Sequence, residues 1–109
     1  MANWNISKES NEIPIDPNFE DIQTLFLSGK ISKMYQLVKR SPTKVAKLLG
    51  INYEAYHNKL SNPEKFTIFH INTMAYAFRI DPNIIHDVIQ KEIQDKVKAK
   101  VKDFGEHNL

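Results

Sequence analysis

Twenty residues, Ser41 to Leu60, constrain this chain more tightly than any other stretch of it. The segment SPTKVAKLLGINYEAYHNKL places Val45, Leu48 and Leu49 at i, i+3 and i+4, which makes one face of a helix apolar. Gly50 follows where a helix can end in the left-handed conformation. Ile51 plugs the corner, and Asn52 can cap a second helix through its side-chain oxygen. Tyr56 and Leu60, four apart, give that second helix its inward face. Ala46 is small, so the two backbones can cross closely. The spacing predicts a helix-turn-helix. The outward side of its second helix then carries Tyr53, Glu54, His57, Asn58 and Ser61.

The rest of the chain reads as helices too. Asp16-Pro17, Ser41-Pro42 and Asp81-Pro82 each put a capping side chain before a proline whose fixed φ suits a first helical turn. The first pair opens a helix with Phe19, Ile22 and Phe26 inward. Ser28-Gly29 breaks it, although Leu27 to Ile31 would also continue in phase as one longer helix. Ile31, Met34, Tyr35 and Val38 fall at i, i+3, i+4 and i+7, predicting an amphipathic helix that ends at Lys39-Arg40, where cations suit the dipole. Beyond the polar loop at Ser61–Lys65, Thr67 can cap a helix with Ile71, Met74, Ala75 and Phe78 inward. A last helix from Pro82 to about Phe104 has a broad apolar face at Ile84, Ile85, Val88 and Ile89. After that it keeps one apolar residue per turn: Ile93, Val97, Val101 and Phe104. No strand-like alternation competes, so the expected class is all-α, with five to six helices and an extended C-terminal helix.

Three segments are expected: an N-terminal arm over 1–16 in which Trp4 is available as an anchor, a domain over 17–90, and a helical extension over 91–109. The narrow stripe Ile93, Val97, Val101, Phe104 suits a seam with a second copy of the chain or a fold-back onto residues 19–27; a homodimer is the favoured reading.

Composition removes other classes. A chain of 109 residues without cysteine holds no disulfide scaffold, cysteine zinc site or thiol nucleophile. No apolar run approaches the roughly 20 residues of a membrane span, and residues 1–16 lack the pattern of a signal peptide, so a cytoplasmic protein off the membrane is expected. His70 and His86 have no carboxylate at ligand spacing, and no nucleophile–base pair or glycine-rich phosphate loop stands out. Neither an enzyme nor a cofactor, metal or small-molecule ligand is expected.

Charge is unevenly spread. The net of +2 divides into −4 over residues 1–29, +7 over 30–80 and −1 over 81–109. The excess thus sits on the segment holding the two-helix corner, where phosphates would need it. Ser41 and Thr43 fall at the start of the first of these helices, where free backbone N–H groups favour a phosphate. Lys44, Lys47 and Lys65 are candidate phosphate contacts, Lys59 is the one cation at the margin of the outward face, and Asn52 and Tyr53 stand at the tip of the second helix. Within that helix Glu54 could accept from cytosine, Asn58 could pair with adenine through two bonds, and His57 could donate to a base or phosphate.

From Ile31 to Val88 the chain resembles the lambda-repressor/Cro-like (XRE-type) helix-turn-helix family, on Ala46, Leu49-Gly50-Ile51, and Met74-Ala75 followed by Phe78 and Ile80. The resemblance implies a compact five-helix domain that binds double-stranded operator DNA, usually as a dimer, with the helix at 52–61 in the major groove. It would make the chain a sequence-specific transcriptional regulator. Pro42 stands where the family commonly has a glutamine that touches the DNA backbone; Leu60 and Asn62 replace a frequent acid and a frequent glycine. Pro42, Glu54 and the few cations of the reading helix point to the competing class, an antitoxin-like protein-interaction module that keeps the fold.

Overall fold

The computed structural model describes residues 14–108, so Trp4, the rest of the segment 1–13 and Leu109 lie outside the described residues. Helix α1 spans Pro17–Leu27, α2 Pro42–Leu49, α3 Tyr53–Ser61, α4 Ile68–Phe78 and α5 Pro82–Asn108, with short 3₁₀ helices at Met34–Lys39 and Pro63–Lys65. The described residues are all helix and connecting turn, an all-α protein with a long C-terminal helix.

Three of these helices end in the same backbone device, which sets where the chain turns. After α1, Lys30 N donates to the Leu25 carbonyl and Gly29 N to that of Phe26. After α2, Ile51 N reaches Ala46 and Gly50 N reaches Lys47. After α4, Ile80 N reaches Ala75 and Arg79 N reaches Tyr76. Each is a Schellman motif, whose pivot residue must adopt positive φ. Gly29 and Gly50 do so at +74° and +73°; Arg79 does so at +59°, with a side chain present. In the last two motifs the next residue, Ile51 or Ile80, carries the apolar contact that closes the corner: Ile80 is buried and Ile51 packs on the core.

Caps fix the starts. Asp16 accepts from Asn18 N, Asn52 from Ala55 N at 2.7 Å, and Asp81 from Asn83 N. Thr67 and His70 form a reciprocal box: Thr67 Oγ1 accepts from His70 N, and His70 Nδ1 accepts from Thr67 N. One core then joins the helices. Phe19 meets Phe78 edge-on with ring centroids 5.1 Å apart, clamping α1 to α4. Val45, Tyr56, Leu60, Met74 and Ile85 are fully buried around them. Each such side chain contributes roughly 1.5–3 kcal/mol over its exposed state.

Four expectations are corrected. The segment after α1 is a 3₁₀ helix, not an α-helix: its buried residues are Ile31, Met34 and Leu37, three apart, as three residues per turn require. Tyr35 therefore faces out and Leu37 takes its place in the core. The tighter winding is held from outside the backbone ladder. Gln36 Oε1 accepts from Ser32 N and Lys33 N, and Glu92 of α5 accepts from Met34 N. Ser41 is no side-chain cap; it sits at φ +48° and contributes its carbonyl to Val45 N. The inward face of α2 is Val45, Ala46 and Leu49, because Leu48 faces solvent. Finally, α5 is continuous and reaches Asn108 rather than Phe104, roughly 40 Å in all. It does not fold back onto α1, and Val101 is 64% exposed.

Candidate nucleic-acid interface

Helix α3 is asymmetric. Tyr56 and Leu60 are completely buried on one side, with Tyr56 edge-on to Phe66 at 6.4 Å. Gly50 and Asn52 fix its start to the end of α2, so its remaining residues have a defined direction. On the other side Asn52, Glu54, Ala55, His57, Asn58 and Ser61 line a shallow depression open to solvent. No described residue covers it. Tyr53, at the first helical position, is half-exposed beside it.

His57 is the best-held residue of this face. Its ring stands edge-on to Tyr35 at 5.5 Å and tilted against Tyr53 at 6.0 Å. Its Nε2 lies 3.4 Å from the Tyr35 hydroxyl. Tyr35 thus joins the candidate surface from the first 3₁₀ helix. Its α-helical spacing predicts an inward residue; the signal to the contrary is the three-residue period of Ile31, Met34 and Leu37.

Asn58 is oriented as well. Its side-chain oxygen and its carbonyl both accept from Asn62 Nδ2, at 3.0 and 3.2 Å. The amide keeps its own Nδ2 donors and a second lone pair on Oδ1. Lys59 lies at the margin, its Nζ donating to the Lys65 carbonyl at 3.1 Å. Ser61 and Glu54 are exposed.

The start of α2 is less open. Lys44 Nζ is 2.6 Å from the Asp16 carboxylate. The hydrogen bond from Lys44, followed by the one from Asn18 N, holds the Asp16 carboxyl below its usual range. Arg40 pairs with Asp21 at 3.3 Å. Ser41 is half-buried, while Thr43 and Lys47 are exposed. The basic excess of residues 30–80 is thus partly met by acids of α1 and its cap.

The stripe on α5 begins at Ile93, which packs on the core, and continues outward through Val97, Val101 and Phe104, all exposed. Glu64 pairs with Lys96 of α5 at 3.2 Å, tying the loop after α3 to the long helix. Among the described residues no group of three or more His, Asp or Glu could hold a metal, and no helix is long and apolar enough to cross a membrane.

No protein-family model, curated protein or solved structure matches this chain.

Proposed function

We propose that this protein binds double-stranded DNA through the outward face of α3 and regulates transcription by occupying its site. What carries the reading is the asymmetry of that helix: one side wholly buried, the other polar and uncovered, at a corner fixed by a Schellman motif and an Asn cap. A helix so held can enter the major groove, about 12 Å wide, without rearrangement. Asn58, pre-oriented by Asn62, supplies the acceptor and donor that adenine N6 and N7 require. His57, braced by Tyr35 and Tyr53, donates to a base acceptor or a phosphate. Thr43, Lys44 and Lys47 at the start of α2 take the flanking phosphates. The α5 stripe pairs two copies, placing two α3 helices about one DNA turn apart.

A second reading has a specific observation behind it. Lys44, Arg40 and Lys59 are each engaged within the chain, and Glu54 stands on the face, so few cations there are at liberty. A protein-interaction module would use the same corner without needing them. Fluorescence anisotropy with mixed-sequence duplex at two salt concentrations separates the two. Phosphate binding weakens with a log–log slope of about −0.9 per contact. No signal at either salt concentration refutes the DNA reading.

A further inference from the structure

Tyr35 and His57 come from different elements, 22 residues apart, and meet beside the outward face of α3. The segment that carries Tyr35 is anchored on both sides of it. Met34 N donates to Glu92 of α5, and the Gln36 side chain gathers Ser32 N and Lys33 N. The Tyr35 hydroxyl therefore has a fixed place, 3.4 Å from His57 Nε2. The two rings stand edge-on with an interplanar angle of 84°, and Tyr53 leans on the imidazole at 41°. Turning the imidazole over would set a carbon, Cε1, against the hydroxyl in place of Nε2, and the bond would be lost. Of the two partners the phenol is the better donor, because its oxygen lone pair is drawn into the ring, and an unprotonated imidazole nitrogen is the better acceptor. A ring nitrogen that accepts carries no proton, so the single proton of the neutral ring lies on the other one.

Given the reading of α3 as a DNA-contacting helix, on which this rests, we propose that Tyr35 is a positioning residue for base recognition. Its hydroxyl donates to His57 Nε2, holds the neutral ring as the Nδ1–H tautomer, and so makes His57 a reader of guanine. Nδ1 lies across the ring from Nε2 and points away from Tyr35, on a residue that lines the open depression. A donor there suits N7 and O6, the two acceptors that guanine presents side by side in the major groove. It is refused by the N4 amino group of cytosine, and adenine is second best because its N6 amino group adjoins N7. The opposite tautomer would put a lone pair at Nδ1 and favour those amino groups instead. A hydroxyl on the first 3₁₀ helix thus decides which base edge α3 accepts.

Nitrogen–proton correlation spectra of the labelled imidazoles, taken on the free protein at about pH 8.5, above the ordinary histidine range, read the tautomer without DNA. The His57 signals are those that vanish in His57→Gln. In the wild type they show mainly Nδ1–H. Tyr35→Phe, at an exposed position outside the core, shifts the ratio about five- to tenfold towards Nε2–H, the order of one hydrogen bond. Tyr53→Phe keeps its ring beside His57 and leaves the ratio unchanged. The second arm uses a duplex selected from a random pool. At the base pair whose identity stops mattering in His57→Ala, the wild type prefers G·C, and removing guanine N7 or O6 with 7-deazaguanine or 2-aminopurine weakens it. Tyr35→Phe narrows that preference by the same factor. A wild-type ring that is mainly Nε2–H, or a ratio unmoved by Tyr35→Phe, overturns the proposal even if DNA binds. A His57-dependent pair other than G·C, or one indifferent to both guanine analogues, overturns it too. Failure to bind any duplex overturns the α3 reading and the base assignment with it, while the spectra still report the tautomer.

Discussion

Tyr56→Phe should stabilise this protein, and by an amount that its surroundings fix. The Tyr56 side chain is completely buried, and its hydroxyl has no hydrogen-bond partner among the described residues. A buried polar group left unpaired costs ~1–3 kcal/mol. Removing the oxygen leaves a void of roughly 10–15 Å³, which costs about 0.3 kcal/mol at ~24 cal/mol per Å³. The net gain is therefore roughly 0.7–2.7 kcal/mol, with a melting temperature higher by roughly 4–8 °C per kcal/mol for a domain of this size. Burial also pushes the phenol's ionisation well above its ordinary range. The folded chain thus keeps that proton after the unfolded chain has lost it. Wild-type stability holds below about pH 10 and falls above it by ~1.4 kcal/mol per pH unit from this group alone. The phenylalanine variant lacks that slope. Urea denaturation of both proteins at pH 7 and across pH 9–11 measures both effects. A variant no more stable at pH 7, or one that loses stability in parallel with the wild type above pH 10, refutes the reasoning.

Four further outcomes follow from the same contacts. Asn58→Ala should cost about 1–3 kcal/mol at a cognate duplex, while Lys44→Ala weakens all sequences alike and flattens the salt dependence by about one unit; equal losses for both on random DNA contradict that division. Asp16→Asn removes the carboxylate that competes with phosphate for Lys44, so affinity for mixed-sequence duplex should rise at low salt in an anisotropy titration. His70 accepts from Thr67 N only when Nδ1 is unprotonated, and burial, then Lys59, lowers its ionisation below the ordinary value. Its contribution to stability is thus present above about pH 6.5 and lost as pH falls further, a slope that His70→Gln should flatten in thermal melts. Val101→Lys should shift the protein to monomer in sedimentation equilibrium and leave its melting curve at low concentration unchanged.

The sequence exposes most of this fold because local signals and packing agree. Asp16, Asn52, Thr67 and Asp81 cap where their side chains imply, and Tyr56, Leu60, Met74 and Phe78 are buried where a 3.6-residue period places them. The failures occur where a distant partner decides. The 3₁₀ winding of Met34–Lys39 depends on Gln36 gathering two backbone donors and on Glu92, 58 residues away, taking the Met34 N–H. Ser41 precedes a proline like two true caps, yet it sits at positive φ and its side chain makes no cap. The site divides in the same way. Asn58 and Asn62, four apart on a helix, are legible neighbours. The approach of Tyr35 to His57 and of Asp16 to Lys44 comes from tertiary packing that no local spacing encodes.

Everything proposed about function rests on the uncovered side of α3 being the surface a duplex meets. Amide chemical-shift mapping of the labelled protein, titrated with a duplex selected from a random pool, reads that surface residue by residue. The account predicts the largest changes at 52–61, at Tyr35 and at the start of α2, with the exposed face of α4 unchanged. Shifts confined to α4 or α5, or none at saturating duplex, would contradict it.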